Sequence, residues 1–246
     1  PTDTVPVSLW RHFPGDDQSP LDLAASTVAF QRQYDFDFIK VTPASSFCVR
    51  DWGVEDEWLG NQEGTREYTR QPVAGPGSWQ ALRPLDPGQG TLGGQLRCLE
   101  AIRTAVGEEV PFIQTVFNPL SQAKNLVGRQ NLVAQLREEP EAVKAGLETI
   151  TATTEAFVGA ARERGIAGIF FAVQHASREL LSEALPSVAD GNIAGMVIPA
   201  AQGHPHQPGL HRIPGRGFQV HGKMFLLLQL LHEGLQLGLG TNDPVA

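Results

Sequence analysis

Cationic and polar side chains follow the ends of four apolar segments in this chain. Arg11 and His12 follow the first segment, Lys40 lies near the end of the second, and Arg50 lies in the loop behind it. Guanidinium and ammonium groups form charge-assisted hydrogen bonds with carboxylates. We therefore predict a site for a small molecule that carries carboxylates, with ordinary surface charge as the alternative for each residue. The predicted substrate-binding residues are Arg11, His12, Lys40, Arg50, Asn118 and Gln174.

His175 is the candidate for proton transfer. It comes shortly after the apolar run that ends at Val173, and it precedes Ser177, which can cap a helix. Imidazole titrates near neutral pH, so a histidine at the end of a strand suits a general acid or base. The alternative is a structural histidine that is hydrogen-bonded to a loop carbonyl.

Two further motifs do not predict a site. The glycines of GQGTLGG have the spacing of a dinucleotide-binding loop, but two prolines in the preceding seven residues exclude the central strand which that motif needs. We predict a flexible loop there and no nucleotide site. Four histidines of the C-terminal region could ligate zinc, but they have no cysteine partner and lie in irregular sequence; they are His204, His206, His211 and His221. We predict no metal site.

Strand-like and helix-like segments alternate through the first 185 residues. The predicted strands are the apolar segments Pro6–Trp10, Phe36–Val41, Val110–Phe117 and Ile166–Val173. The predicted helices are one opened by Ser19 and Pro20, Gln95–Val106, Pro140–Arg164 and one capped by Ser177, with a long loop before the second. This alternation predicts a parallel sheet, either open and doubly wound or closed as a β/α barrel, with its chemistry at the carboxyl ends of the strands.

The alternation stops after Leu185. Residues 186–246 contain five of the seven histidines but only three acidic residues and three lysines or arginines. Four strand–helix units fill the first 185 residues, so eight units would exceed the roughly 250 residues of a typical barrel by a wide margin. We therefore predict two regions: residues 1–185 as the first half of a barrel, and residues 186–246 as an irregular tail of unassigned structure.

Charge and composition exclude several classes of partner. The net charge of −8 argues against nucleic acid and anionic membranes, which both require clustered Lys and Arg. Met224–Leu231 is the longest apolar run and is too short to span a bilayer, and the N-terminus lacks the pattern of a signal peptide. Cys48 and Cys98 give no disulfide framework and fit a reducing compartment. We expect a cytoplasmic protein.

Four segments resemble the uroporphyrinogen decarboxylase superfamily. PVSLWRHFPG is similar to its N-terminal motif, in which Pro6, Val7 and Arg11 match. The family's second, third and fourth strand regions resemble DFDFIKVTPASSFCVRDWG, PFIQTVFNPLSQAKNLVG and EAFVGAARERGIAGIFFAVQHAS. The resemblance implies a TIM-type β/α barrel, incomplete in this chain. It also implies a lyase of porphyrin biosynthesis that removes carboxylates from a tetrapyrrole without a cofactor, with Arg11 on the substrate acids.

Two positions depart from that family pattern, and they leave a second function open. Gly15 stands where the family has another arginine, and Pro43 or Ala44 where it has an aspartate that binds pyrrole N–H groups. Another branch of the superfamily transfers methyl groups between corrinoid proteins and thiols, using zinc held by a His-x-Cys pair and a later Cys. Neither Cys48 nor Cys98 lies in such a pattern. A corrinoid-dependent methyltransferase relative is the alternative function.

A truncated barrel that is inactive or depends on a partner is the third interpretation. The resemblance ends inside the helix-like segment SRELLSEA, which suggests a shifted reading frame or a truncated gene, with a lineage-specific tail as the other explanation. A half-barrel would expose a strand edge and an apolar face. We therefore expect it to be unstable, to aggregate or to form a homodimer.

Overall fold

A computed structural model describes residues 6–61, 63–173 and 196–199 of the chain. Its helices are α1 (Pro20–Tyr34), α2 (Pro76–Ala81), α3 (Gly90–Val106), α4 (Pro119–Val127), α5 (Arg129–Glu138) and α6 (Pro140–Glu163). Its strands are β1 (Ile39–Val41), β2 (Glu55–Glu57), β3 (Glu67–Arg70), β4 (Phe112–Phe117), β5 (Gly168–Ala172) and β6 (Met196–Pro199). Asp16–Gln18 and Arg50–Trp52 form 3-10 turns. The helix predicted after Ser177 lies outside the described residues.

The main sheet has four strands in the order β1-β4-β5-β6. The strands β1, β4 and β5 are parallel, and Ile113 of β4 lies opposite Lys40 of β1 and Gly168 of β5. The predicted α/β arrangement with a parallel sheet is therefore confirmed, whereas the four sheet strands of the described residues do not show a complete barrel. The strand β6 belongs to the region predicted as irregular, and it pairs antiparallel with β5.

The predicted first strand, Pro6–Trp10, is wrong, because this segment has no regular secondary structure. It is joined to the residues before β1 through one residue pair: the Val7 N–H donates to Asp37 Oδ2 at 2.8 Å, and the Val7 carbonyl accepts from the Asp37 N–H at 3.1 Å. Pro6 has no N–H with which to extend such a ladder. The segment still lies beside the sheet, which keeps the residues after it close to β1.

The predicted start of the first helix is confirmed. Ser19 is the N-cap of α1, and its Oγ accepts from the Asp22 N–H at 3.4 Å, with Pro20 at the first helical position. Leu23 and Val28 are buried on the side that packs against α3. The pairing of α1 with α3 fixes the helix that leads into β4.

The helix α3 begins at Gly90, five residues before the predicted start, so the glycine-rich segment is partly helical and not a flexible loop. Its first turn is capped by Asp51, whose carboxylate accepts from the Thr91 N–H at 2.8 Å and from the Thr91 hydroxyl at 2.9 Å. Gly93 has no room for a Cβ because the Gly88 carbonyl lies against it. The glycines therefore serve close packing, and a carboxylate of the protein occupies the helix terminus where a phosphate would bind.

The helix α6 covers the core from residue 140 to 163, close to its prediction, and Gly165 follows it with a positive φ of 78°. Gly146 of α6 faces the indole of Trp79, and an ideal Cβ there would overlap the ring. Trp79 is 1% exposed, and its Nε1 donates to Gln135 Oε1 at 2.6 Å. This contact joins α2, α5 and α6 into one packed layer.

A hairpin lies within the segment that was predicted as a long loop. Its strands β2 and β3 are antiparallel, with a register shift between Glu55 and Asp56. Both strands are mostly polar and largely exposed, so neither has the apolar run that predicts a buried strand. Among the described residues, no helix is long and apolar enough to cross a membrane.

Candidate functional site

The main sheet has two faces that differ in character. Val41, Val116 and Phe171 join the hydrophobic core between sheet and helices. Because side chains alternate along a strand, Lys40 of β1 and Phe170 of β5 lie on the opposite face. We call this the inner face, since it corresponds to the interior of a β/α barrel.

Lys40 contacts two aromatic rings on the inner face. Its Nζ lies 4.2 Å from the ring centroid of Trp10 and 4.3 Å from that of Phe170. The two ring centroids are 5.8 Å apart, and the planes are tilted by 45°. Each ring offers its electron-rich face to the ammonium group, which is the geometry of a cation–π contact. The lysine is thus positioned by β1, by β5 and by the segment before α1.

The charge of Lys40 has no carboxylate partner in the described part of the chain. The residue is 8% exposed, and none of the ion pairs or hydrogen bonds there uses its Nζ. Burial lowers the pKa of Lys40 to about 8, because removal from water disfavours the charged form. A substrate carboxylate could supply the missing negative charge.

Arg11 follows Trp10 directly in the sequence, and its side chain is exposed. Its Cζ lies 5.5 Å from the ring centroid of Phe13, and its Nε donates to the His12 carbonyl at 3.2 Å. In the described residues its guanidinium forms no ion pair with a carboxylate. It therefore keeps donors that can bind an acid, as the sequence predicts.

His12 is half-buried, and the positive charge of Lys40 acts on its imidazole. Burial lowers the pKa of His12, the positive charge of Lys40 lowers it further, and the charge of Asp17 opposes both. The loop of the β2–β3 hairpin packs on it, because Gly64 at φ +71° brings its backbone against the His12 side chain. His12 is therefore packed against the hairpin loop, in surroundings that favour the neutral imidazole over the charged form.

Arg50 is engaged with a carboxylate of the protein itself. Its guanidinium pairs with Asp56, and its Nε donates to Ser46 Oγ at 3.0 Å. Arg66 Nε also donates to Asp56, at 2.7 Å, and the Asp56 side chain is 1% exposed. Burial by itself raises the pKa of Asp56, but the hydrogen bonds from Ser46 and the two arginines outweigh burial, and the pKa is lowered. The structure places Arg50 in this buried network.

Asn118 lies at the carboxyl end of β4, as predicted, and is the N-cap of α4. Its Oδ1 accepts from the Ser121 N–H at 3.2 Å and from the Ser121 hydroxyl. Its own N–H donates to the Ala172 carbonyl at 3.1 Å, so the ends of β4 and β5 meet. Gln174 and His175 follow β5 by two and three residues, but both lie outside the described residues. Their predicted roles stay predictions.

The site includes residues that sequence reasoning did not select. Trp10 and Phe170 were assigned to strand cores, and the contacts that bring them to Lys40 are not visible in the sequence. A charged residue inside the apolar strand IKV was the available signal for a special environment. Asp56 also was missed, because nothing in its spacing identifies it as the partner of Arg50.

A second polar cluster consists of Ser45, Cys48, Tyr68 and Lys124. The Tyr68 hydroxyl is 3.0 Å from Ser45 Oγ, and burial raises the pKa of this tyrosine. Lys124 Nζ lies 5.3 Å from the Tyr68 ring centroid. Burial also raises the pKa of the nearby Cys48 thiol to about 12, so it stays protonated at neutral pH. This cluster joins the hairpin to the loop after β1 and to α4.

The amino ends of the strands carry an open surface depression of about 550 Å³. Arg103 of α3 lies in it, donates to the Gly107 carbonyl at 2.7 Å and to the Gly165 carbonyl, and stands 4.8 Å from the ring centroid of Phe112. One guanidinium therefore joins the turns that lead into β4 and β5. Residues at this end of a β/α fold contribute to stability, whereas catalysis occurs at the other end.

The family model of uroporphyrinogen decarboxylase (URO-D) matches residues 11–185. The chain belongs to the uroporphyrinogen decarboxylase family. This confirms the predicted resemblance, and the match covers every predicted site residue. In this URO-D family chain the matched region begins at Arg11 and contains β1, β4, β5 and their helices.

The fold is similar to that of a solved methyltransferase from Methanosarcina mazei. The TM-score is 0.65 at 21% sequence identity, over 74% of this chain and 58% of that chain. At this identity the similarity shows the fold alone. This URO-D family chain spans less than two thirds of the length of that protein. No curated protein matches the chain.

The described residues do not fit the zinc site of the methyltransferase branch. Cys48 and Cys98 are buried, and burial raises the pKa of each thiol to about 12. Zinc ligation requires the thiolate, which both environments disfavour. In residues 6–61 and 63–173, no three His, Cys, Asp or Glu side chains lie together as a metal site. The histidines of the tail lie outside the described residues.

Proposed function

We propose that this chain binds a small molecule that carries carboxylates and that its reaction is decarboxylation, as a lyase of the URO-D family. The observation that carries the proposal is the buried Lys40 ammonium, which has no carboxylate partner among the described residues. Buried charges in proteins are paired, so an unpaired one on the inner face favours an anionic ligand. Arg11 and His12 add donors beside it.

The roles of the proposed site residues differ. Arg11 and Lys40 bind the substrate acids, and His12 donates a hydrogen bond. Arg50 is held by Asp56, so it acts on the substrate through the remaining N–H groups of its guanidinium. Asn118 and Gln174 complete the polar edge at the strand ends, and His175 transfers the proton that replaces the departing CO₂.

The proposal is tested by binding and by CO₂ release with uroporphyrinogen. Trp10 lies against Lys40, so ligand binding should change tryptophan fluorescence. Lys40→Met should weaken binding by about 1.5–3 kcal/mol, roughly ten- to hundredfold, because a charged hydrogen bond is lost. Lys144→Met on α6 is the matched control and should bind as the wild type does. Equal affinities of the two variants would contradict the proposal.

Methyl transfer is the alternative chemistry within the superfamily. It is supported by the likeness of fold to a methyltransferase, although the two described cysteines do not fit a zinc site. Zinc content after purification, together with methyl transfer from a corrinoid to a thiol, would favour it over decarboxylation. A protein with neither activity that sediments as a dimer or aggregate would favour the partner-dependent half-barrel.

A further inference from the structure

We propose that Lys40 is a nucleophilic amine that forms an imine with the oxo group of a β-oxo acid bound on the inner face. This inference rests on the proposed decarboxylation, and it replaces the tetrapyrrole by a smaller acid that carries an oxo group. It assigns covalent chemistry to a residue that the sequence predicts as a charge partner. The substrate class becomes acids with a carbonyl group two carbons from the carboxylate.

The position of Lys40 differs from that of the other described lysines. Its Nζ has an aromatic ring on two sides, at 4.2 and 4.3 Å, whereas Lys124 has one ring at 5.3 Å. Lys40 is buried, whereas Lys124 and Lys144 are only partly buried, and none of these three lysines pairs with a carboxylate in the described residues. A desolvated lysine without a counter-ion is the environment that activates an amine for imine formation.

Imine formation requires the neutral amine. Burial lowers the pKa of Lys40 to about 8, so roughly a tenth of the molecules carry the free amine at pH 7, against fewer than about one in a thousand for an ordinary lysine. His12 interacts electrostatically with Lys40, and a positive charge on either group disfavours the ammonium form of Lys40. Lys40 is therefore nucleophilic near neutral pH.

The reaction balances without a cofactor. The Lys40 amine attacks the carbonyl carbon, a C–N bond forms, and loss of water leaves a protonated imine. The bond between the α-carbon and the carboxylate then breaks, its electron pair moves toward the imine nitrogen, and CO₂ leaves. The resulting enamine takes a proton at carbon, and hydrolysis returns the amine and releases a ketone. The sum is one oxo acid and one proton converted to one ketone and one CO₂.

The two aromatic rings can stabilise the cationic iminium intermediate as well as bury the amine. An iminium carbon with its substituents is flat and positively charged, and the rings of Trp10 and Phe170 face the Nζ from two sides. They also exclude water, which would hydrolyse the imine early. Arg11, on the segment that carries Trp10, can hold the carboxylate until it leaves.

Borohydride trapping with acetoacetate tests the inference. Reduction fixes an imine to the lysine that formed it, and the chain has four lysines, Lys40, Lys124, Lys144 and Lys223, so peptide mass spectrometry assigns the adduct. We expect at least about tenfold more adduct on Lys40 than on Lys144 at pH 7, since more of its amine is neutral. An equal distribution, or no adduct on Lys40, overturns the inference.

Two variants separate this inference from the proposed function. Lys40→Arg keeps the charge but cannot form an imine, and Lys144→Arg is the control that should label and react as the wild type does. Loss of both adduct and CO₂ release from acetoacetate in Lys40→Arg supports the inference. CO₂ release at the wild-type rate in Lys40→Arg overturns imine chemistry while decarboxylation stands. An adduct on Lys40 without CO₂ release supports the nucleophilic amine and overturns decarboxylation of β-oxo acids, while the uroporphyrinogen assay decides the proposed function separately.

Discussion

Asp51 caps the helix α3 through Thr91, with one carboxylate that accepts from both the backbone N–H and the hydroxyl of that residue. The two residues are 40 positions apart, so the cap fixes the loop after β1 onto the start of α3. It also places a carboxylate of the protein at the helix terminus where a phosphate-binding loop would hold its anion.

Asp51→Ala should lower the free energy of unfolding by about 1–2 kcal/mol, the cost of losing an N-cap acceptor and a favourable charge at the helix terminus. Asp51→Asn should cost less, because the amide oxygen still accepts a hydrogen bond. Urea denaturation measures both. Glu148→Gln, which removes an exposed charge from α6, should stay within about 0.5 kcal/mol of the wild type. An Asp51→Ala protein as stable as Glu148→Gln would show that the cap is not formed.

Gly146→Ala and Gly159→Ala form a matched pair on α6. A Cβ at Gly146 would overlap the buried indole of Trp79, whereas none of the described atoms lies within 4 Å of a Cβ at Gly159. We expect Gly146→Ala to destabilise the protein by about 1–3 kcal/mol through overpacking. Gly159→Ala should stabilise it by about 0.5–1 kcal/mol, since alanine favours the helix. Thermal unfolding compares the two, and the same sign for both would contradict the packing of α2 on α6.

The buried Asp56 should make stability depend on acid. Its pKa in the folded protein is lowered, so its contribution is present above the ordinary pKa of about 3.9 and is lost as pH falls through the folded value. Asp56→Asn should therefore cost about 3 kcal/mol at pH 7, because it leaves Arg50 without its carboxylate and Arg66 with Asp17 alone. The difference from the wild type should shrink below about pH 4. Glu55→Gln, in an exposed pair with Arg70, should cost less than about 1 kcal/mol at either pH.

The titration of Lys40 should depend on its two rings. Trace acetylation at increasing pH, followed by peptide mapping, reports the pKa of each lysine. For Lys40 the midpoint should fall near the pKa of about 8. Trp10→Leu should open Lys40 to water, which favours the charged form and moves the midpoint upward toward about 10.4. Phe170→Leu should act in the same direction, and a midpoint unchanged by both variants would show that the rings do not desolvate the amine.

The parts of the fold that were predictable are those that a short stretch of sequence determines. Ser19 and Pro20 are a local helix start, and the runs around Phe112–Phe117 and Gly168–Ala172 are apolar because both of their faces are buried. Asn118 and Pro119 repeat the same start signal before α4, and the prediction passed over it. The β2–β3 hairpin was not predictable, because its polar strands are exposed and paired with a register shift.

The candidate site residues were selected because they follow apolar segments, and their roles stay predictions. The structure places Lys40 on the inner face and His12 within reach of its charge, and it leaves Arg11 exposed. Arg50 was selected by the same reasoning, yet it pairs with Asp56. A pairing of this kind depends on a hairpin that folds back, and no local pattern records it.

The guanidinium of Arg103 separates the alignment of two strands from the composition of the loops at their other ends. It donates hydrogen bonds to the turns before β4 and before β5, at the amino ends of the strands. Substitutions in the loops at the carboxyl ends therefore leave these hydrogen bonds in place. The scaffold can accept changes in the candidate site without losing the alignment of β4 with β5.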